Sequence, residues 1–249
     1  MKILICGVGG RMGREVAKLA LDGVRGAEVV AGFDLVPLDT REFVTYTDWS
    51  AVTEKIDCII DFSHHTATEA LLNFATANNI PTVIATTGHT DEEKANIVEA
   101  AKQIPVFHSA NMSLGIALLV ELAKTTAKAF PDADIEIIEK HHNRKLDAPS
   151  GTALLLANAV GEIRKNAQFI FGRSGQAKRE PTEIGIHAIR MGNIIGEHEV
   201  IVGTDTQTIT LKHEAHSRAL FAEGALAAAD YLCGKAAGLY DMERMIAEN

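Results

Sequence analysis

The chain has 249 residues, a formal net charge of −9, and 47 % hydrophobic against 23 % charged residues, an ordinary mix for a globular protein with a substantial core. The acidic balance excludes a broad nucleic-acid-binding face, and no run approaches the roughly 18 apolar residues of a membrane span. Cys6, Cys58 and Cys233 lie in apolar stretches without C-x-x-C spacing, so they are expected as core residues in a reducing compartment.

The first apolar run, Lys2 to Cys6, reads as a buried parallel strand. It is too short for a signal-peptide core, so the cytoplasm is the expected location. The run enters Gly7-Val8-Gly9-Gly10-Arg11-Met12-Gly13 and then a helical pattern at Val16, Leu19 and Ala20. Strand, glycine turn and helix in that order are the setting of a dinucleotide fingerprint, whose glycines give a tight turn, backbone approach to a pyrophosphate and close helix–strand packing. The glycines fall at 7, 10 and 13, with Met12 in place of the strict motif's third glycine. Asp34 lies 21 residues after Gly13, at the end of the apolar run Val29 to Phe33, where an acid can accept both ribose hydroxyls of an adenosine. A glycine turn that binds nothing remains the alternative on these residues alone.

Further strands are predicted at 28–33, 56–61, 81–85 and 105–108, with helices starting near Gly10, His65, Asp91 and Met112. This alternation predicts a doubly wound parallel sheet with a ligand crevice at its strand ends. The His64-His65 pair after Ser63 invites a metal site, yet no acid stands at a helical spacing to complete one.

After a helix over 114–130 the pattern becomes β-rich, at 135–138, 182–190, 197–202 and 206–212, with turns at Gly192-Asn193 and Gly203-Thr204-Asp205. It predicts an open mixed sheet, largely antiparallel, with a helix from Gly151 packed on it. The stretch 173–181 is polar and mobile-looking, without chemistry of its own. An alanine-rich helix over 217–233 follows.

The densest segment runs from Glu139 to Ala153 and holds His141, His142, Arg144 and Lys145 ahead of Pro149-Ser150-Gly151-Thr152. Ser150 is a natural N-cap, and Gly151 leaves the first helical turn open to a carboxylate. A strand end carrying histidine and lysine opposite a helix start suits an acidic small molecule, in a protein whose overall charge is negative.

These pieces resemble the dihydrodipicolinate reductase family over nearly the whole length. The resemblance rests on the Gly10-Arg11-Met12-Gly13 core, Asp61-Phe62-Ser63, Thr86-Thr87-Gly88, Ala110-Asn111 and the block from His141 to Thr152. It continues in Gly185 to Arg190, Gly196-Glu197-His198 and Gly238 to Met242. The block from His141 to Thr152 is highly specific to that family; the glycine loop is not. The resemblance implies NAD(P)H-dependent reduction of 4-hydroxy-tetrahydrodipicolinate in the diaminopimelate route of lysine biosynthesis. It implies a Rossmann-like domain over 1–112 and 218–249, and a smaller α+β substrate-binding and tetramerisation domain over 113–217. His141 and Lys145 correspond to the family's acid–base and proton-donating residues, and His142, Ser150, Gly151 and Thr152 to its substrate contacts. Gly7, Val8, Gly9, Gly10, Arg11, Met12 and Asp34 correspond to pyrophosphate and ribose contacts. Ala85, Thr86, Thr87, Ser109, Ala110, Asn111 and Met112 correspond to contacts around the nicotinamide.

Two departures bear on the cofactor. Leu35 follows the ribose acid where many relatives carry a base, and Met112 stands where an aromatic is common. NADH is therefore expected to be preferred, with NADPH still used because Arg11 sits in the glycine turn. A small dicarboxylate substrate and a homotetramer, without nucleic acid or membrane, complete the expectation. Another NAD(P)-dependent reductase of a small acidic imine or carbonyl is the alternative. An aldehyde dehydrogenase would need a nucleophilic cysteine, and a nucleotide sensor an appended binding segment.

Overall fold

Burial without alternation makes β1 (Lys2–Cys6) a central parallel strand: beyond Lys2 every residue is buried. In the computed structural model, which describes residues 1–248, it is followed by α1 (Arg11–Leu21), β2 (Glu28–Phe33), β3 (Val44–Tyr46) and β4 (Cys58–Asp61). Then come α2 (Thr68–Ala77), β5 (Thr82–Ile84), α3 (Asp91–Ala100) and β6 (Pro105–His108). The middle of the chain supplies α4 (Leu114–Ala129), β7 (Asp134–His141), α5 (Gly151–Ile163), β8 (Gln168–Phe171), β9 (Glu183–Arg190), β10 (Gly196–Gly203) and β11 (Thr208–Ala215). The last elements are α6 (Ala219–Leu232), β12 (Gly238–Tyr240) and α7 (Met242–Glu248).

The chain divides into two compact units, Met1–Leu114 with the chain from Arg218 onward, and Gly115–Ser217. The first holds a seven-stranded sheet in the order β12-β6-β5-β4-β1-β2-β3, with every pairing parallel. From β1 the chain moves outward through β2 and β3, then returns to β4 and moves out the other way. The reversal lies between β1 and β4, so Gly7 and Ser63, just past their ends, flank the switch point where open α/β sheets bind ligands. Leu4, Ile59, Ile84 and Val106 from the strands pack with Leu71 of α2 and Ile97 of α3. Phe33 stacks on Trp49 at 3.8 Å, and Trp49 on Phe74 at 4.8 Å.

The predicted strands and helices of this unit are all present, whereas β3 and β12 were not anticipated. Each is three residues long at a sheet edge, too short for any periodicity to register. Cys6 and Cys58 are buried as expected, but Cys233 is exposed at the end of α6, where the helix has run out of core.

The second unit holds a five-stranded sheet in the order β11-β10-β7-β9-β8. Two pairings are antiparallel and two parallel, so the sheet is mixed rather than largely antiparallel. The difference comes from β8, unrecognised in sequence, which pairs in parallel with β9 as β9 does with β7. Alternation along β7 sends Ile135 and Ile137 into a core with Ile184, Ile186, Val200 and Val202, completed by Ile116 and Leu119 of α4 and Leu156 and Val160 of α5. On the other face Lys140 pairs with Glu197 at 3.0 Å and Glu199 at 3.2 Å.

The polar stretch 173–181 is tied down rather than loose. Arg179 meets Asp134 at 2.8 Å, pairs with Glu136, and donates to the carbonyls of Ile135 at 3.0 Å and Glu183 at 2.6 Å. The partners on β7 lie more than 40 residues away in the chain, so composition alone gave no sign of them.

Candidate active site

In the first unit a cavity of about 490 Å³ opens at the switch point, lined by Gly7, Gly9, Gly10, Asp34, Leu35 and Ser63 among others. Its floor is glycine for steric reasons. Gly7 has φ of +77°, and a side chain there would begin 2.6 Å from the Phe62 carbonyl. One at Gly13 would begin 2.2 Å from the Gly7 carbonyl. The loop and the first turn of α1 therefore interlock, leaving the α1 N-terminus, with no side-chain cap, facing outward from Gly10. These features fit a dinucleotide's pyrophosphate, and Asp34 stands where a ribose would lie. Asp34 Oδ2 accepts the Gly9 N–H at 2.9 Å, so the loop and the acid are held together.

The other candidates of this unit are distributed as follows. Val8 is buried, packed where Gly32 leaves room for it. Arg11 opens α1 and is exposed, and Met12 is half-buried. Among the described residues, the arginine on the cavity wall is Arg14, which had drawn no attention in sequence. Ala85 and Thr86 are buried just past β5, while Thr87 is exposed. Ser109 Oγ donates to the Asn111 carbonyl at 2.8 Å, and Asn111 Oδ1 accepts the Ser113 N–H at 2.9 Å, folding the link from β6 to α4 into a turn with Ala110 exposed. Met112 is buried, and its carbonyl occupies the space left by Gly224 of α6.

His64 and His65 take structural contacts. His64 caps the 3-10 turn His65–Ala67, its side chain accepting the Thr66 N–H, and His65 Nδ1 meets both Glu93 oxygens at 2.9 Å. That acid lies on α3, beyond the helical spacings considered in sequence. Among the described residues no three His, Cys, Asp or Glu side chains gather as a metal-holding group.

In the second unit β7 delivers His141 at its C-terminal end, buried among polar partners. His141 Nδ1 lies 2.6 Å from Glu139 Oε2. Glu139 is fully buried, two residues back on the same face of the strand. It accepts two guanidinium N–H bonds from Arg190, each at 2.7 Å, and the Ser150 N–H at 2.9 Å. Burial alone would push its carboxyl up; the bonds from His141, Arg190 and the Ser150 amide outweigh this and bring it down to about 2.

Ser150 caps α5 as expected, accepting the Ala153 N–H at 3.2 Å. Its hydroxyl also shares a 3.1 Å hydrogen bond with His198 Nε2, and the residue is buried. His198 is packed edge-on to His141 at 5.2 Å; burial, with His141 adding to it, pushes its imidazole down to about 4. Gly151 is exposed with open space where a side chain would begin, so the start of α5 is uncovered. Thr152 and His142 are half-buried beside it in sequence and at the end of β7 respectively. Lys145 pairs with Asp147 at 2.9 Å, which holds the Asp147 carboxyl below its usual range.

The second unit thus brings His141, Lys145 and the Ser150–Thr152 turn onto one connected scaffold. Sequence reasoning missed Glu139, Arg190 and His198 as partners of this cluster. Each lies inside a motif that was recognised, but nothing in the spacing gave it a role.

A parallel sheet with a glycine cradle, joined in one chain to an α+β unit bearing a histidine–lysine cluster, fits a nicotinamide-nucleotide oxidoreductase. Residues 1–112 match the family described as dihydrodipicolinate reductase, N-terminus, and residues 115–246 its C-terminus. The chain is 48 % identical over 250 residues to 4-hydroxy-tetrahydrodipicolinate reductase of Caldanaerobacter subterraneus subsp. tengcongensis, covering 99 % of this chain and 98 % of that one. It is 44 % identical to the protein of the same name from Clostridium novyi, covering 98 % of each. Among solved structures it resembles dipicolinate-bound dihydrodipicolinate reductase from Paenisporosarcina sp. TG-14, with a TM-score of 0.83, 26 % identity and 97 % coverage of each chain. Amine dehydrogenase from Mycobacterium smegmatis shares the fold at a TM-score of 0.66 and 11 % identity, covering 98 % of this chain and 95 % of that one. The chain belongs to the dihydrodipicolinate reductase family.

Proposed function

We propose that this protein reduces 4-hydroxy-tetrahydrodipicolinate to tetrahydrodipicolinate, using NADH or NADPH and with the 4-hydroxyl leaving as water, in the diaminopimelate route to lysine. The observation that carries the reading is the cluster of the second unit: a histidine anchored on a buried carboxylate, a lysine four residues on, and an uncovered helix start. The nicotinamide, when bound, supplies the hydride. The N–H groups at Gly151 and Thr152, at the positive end of α5, receive one substrate carboxylate, and His142 stands with them as a substrate contact. His141 and Lys145 deliver the proton that completes the reduction. Lys145 exchanges Asp147 for substrate as it does so. Buried thiols do not suit the alternative of cysteine-based aldehyde oxidation, because burial pushes both Cys6 and Cys58 up, away from the reactive thiolate.

Consumption of NADH with freshly generated substrate tests the proposal directly. His141→Gln and Lys145→Ala should each lower kcat by about 10²–10⁴. Near wild-type turnover in either variant would remove that residue from the mechanism.

The finer assignments follow from the same reading. NADH is the preferred cofactor and NADPH the lesser one. The protein acts in the cytoplasm as a homotetramer, since the long edge strand β11 calls for protection that a second copy can give. Sedimentation at micromolar concentration should show the tetramer; a stable monomer would refute it.

A further inference from the structure

We infer that Glu139 is the positioning residue of the site, holding the proton donor and the carboxylate-binding turn in register through a single buried carboxylate. This rests on the proposed role of His141 and goes beyond it. Glu139 has two oxygens and uses both. Oε2 meets His141 Nδ1 at 2.6 Å, and Oε1 accepts the Ser150 N–H at 2.9 Å. Ser150 is the cap of α5, so the second bond fixes the helix start that receives the substrate. The histidine and the cradle lie on different elements, and Glu139 is the atom group common to both.

The charge on Glu139 is secured from outside the site. Arg190, on the neighbouring strand β9, spans both oxygens with its two terminal nitrogens at 2.7 Å. Arg190 also donates to the Asp147 carbonyl at 2.6 Å, which extends the same anchor to the loop carrying Lys145. A buried carboxylate facing His141 Nδ1 dictates which ring nitrogen bears the shared hydrogen. It leaves Nε2 as the nitrogen that handles the transferred proton. Gly196 keeps that nitrogen uncrowded, since a side chain there would begin 3.1 Å from it. A purely structural ion pair would need Arg190 and Glu139 only; it gives no reason for the bonds to both His141 and Ser150.

The test is a kinetic cycle of Glu139→Gln, His141→Gln and the double variant, with kcat and KM measured for each and folding followed by thermal melting. Glutamine keeps an acceptor for Ser150 but cannot take the His141 hydrogen while also facing Arg190. Glu139→Gln should therefore lower kcat by about 10–100-fold, the range for removing an outer partner of a working histidine, with KM within about 3-fold. The double variant should be no slower than His141→Gln within about 2-fold, because Glu139 acts through His141. Wild-type kcat in a folded Glu139→Gln, or single effects that multiply in the double variant, would overturn the inference. Full activity in His141→Gln would instead overturn the proposed role of His141. Should Glu139→Gln fail to fold, the proton spectrum of the wild type decides: a far-downfield imidazole N–H signal that disappears in His141→Gln is expected, and its absence from the wild type refutes the inference.

Discussion

The two units build their candidate sites from opposite materials. In the first, the surface is main chain: three glycines, an uncapped helix start and one partly exposed aspartate. In the second, it is side chain, organised around a carboxylate with no exposure at all and four hydrogen bonds. A backbone surface fails by steric intrusion. A side-chain surface fails by loss of charge or of hydrogen-bond partners, and so responds to pH.

The largest expected effect contrasts two glycines at two helix starts. Gly13→Ala would place a Cβ 2.2 Å from the Gly7 carbonyl, a backbone atom that cannot swing aside. We expect loss of NADH binding by more than about 100-fold, with a destabilisation of several kcal/mol, on the order of the severe class of point mutants. Gly151→Ala meets nothing within 4 Å. It should leave the melting temperature unchanged or raise stability by up to about 1 kcal/mol, and act only on KM for the substrate. Equal melting temperatures for the two variants would break the contrast.

A smaller effect separates the units by pH. His198 is held at about 4 against an ordinary 6.5, by burial first. Between these values the unfolded chain carries a proton that the folded chain lacks, so stability falls as pH drops from 6.5 to about 4. The full difference corresponds to about 3 kcal/mol. Glu139, brought down to about 2 from 4.5, continues the loss below pH 4.5 because the folded state resists its protonation. His89 and His108 of the first unit are also depressed by burial. Thermal melting from pH 7 to 4 should show the decline, and His198→Gln should flatten it more than His89→Gln. The opposite ranking would mean that the first unit, not the second, is the acid-sensitive one.

The contrast also explains what could be read from sequence. Gly7, Gly10, Gly13 and Asp34 were legible because a backbone-built surface leaves its mark in local spacing, and the strands feeding it are continuous apolar runs. The β3 and β12 edges were not, being too short to carry a period. In the second unit His141, Lys145 and Ser150 were legible as a dense local block. Their organiser was not: Arg190 reaches Glu139 across 51 residues of chain, and His198 reaches Ser150 across 48. Glu139 itself follows a strand pattern, and only the sheet's register places Arg190 near it.

The smallest effect concerns cofactor choice, where charged side chains enter the first unit's main-chain surface. Asp34 should take the two ribose hydroxyls of NADH and repel a 2′-phosphate, which carries roughly −1.5 to −2 charge by analogy with other phosphomonoesters. Leu35, beside it, is 79 % exposed and offers no cation. Arg14 on the cavity wall and Arg11 at the start of α1 should work the other way, so NADPH is expected to remain usable. Leu35→Arg adds an exposed cation next to the ribose position. An exposed pair of this kind contributes about 0.2–1 kcal/mol, so the ratio of kcat/KM for NADPH to that for NADH should rise by about 1.5–5-fold. The gain should shrink with added salt, since the pair is open to solvent. Strong NADPH preference in the unaltered protein would show that the arginines outweigh Asp34. An unchanged ratio in Leu35→Arg would show that residue 35 does not face the 2′ position.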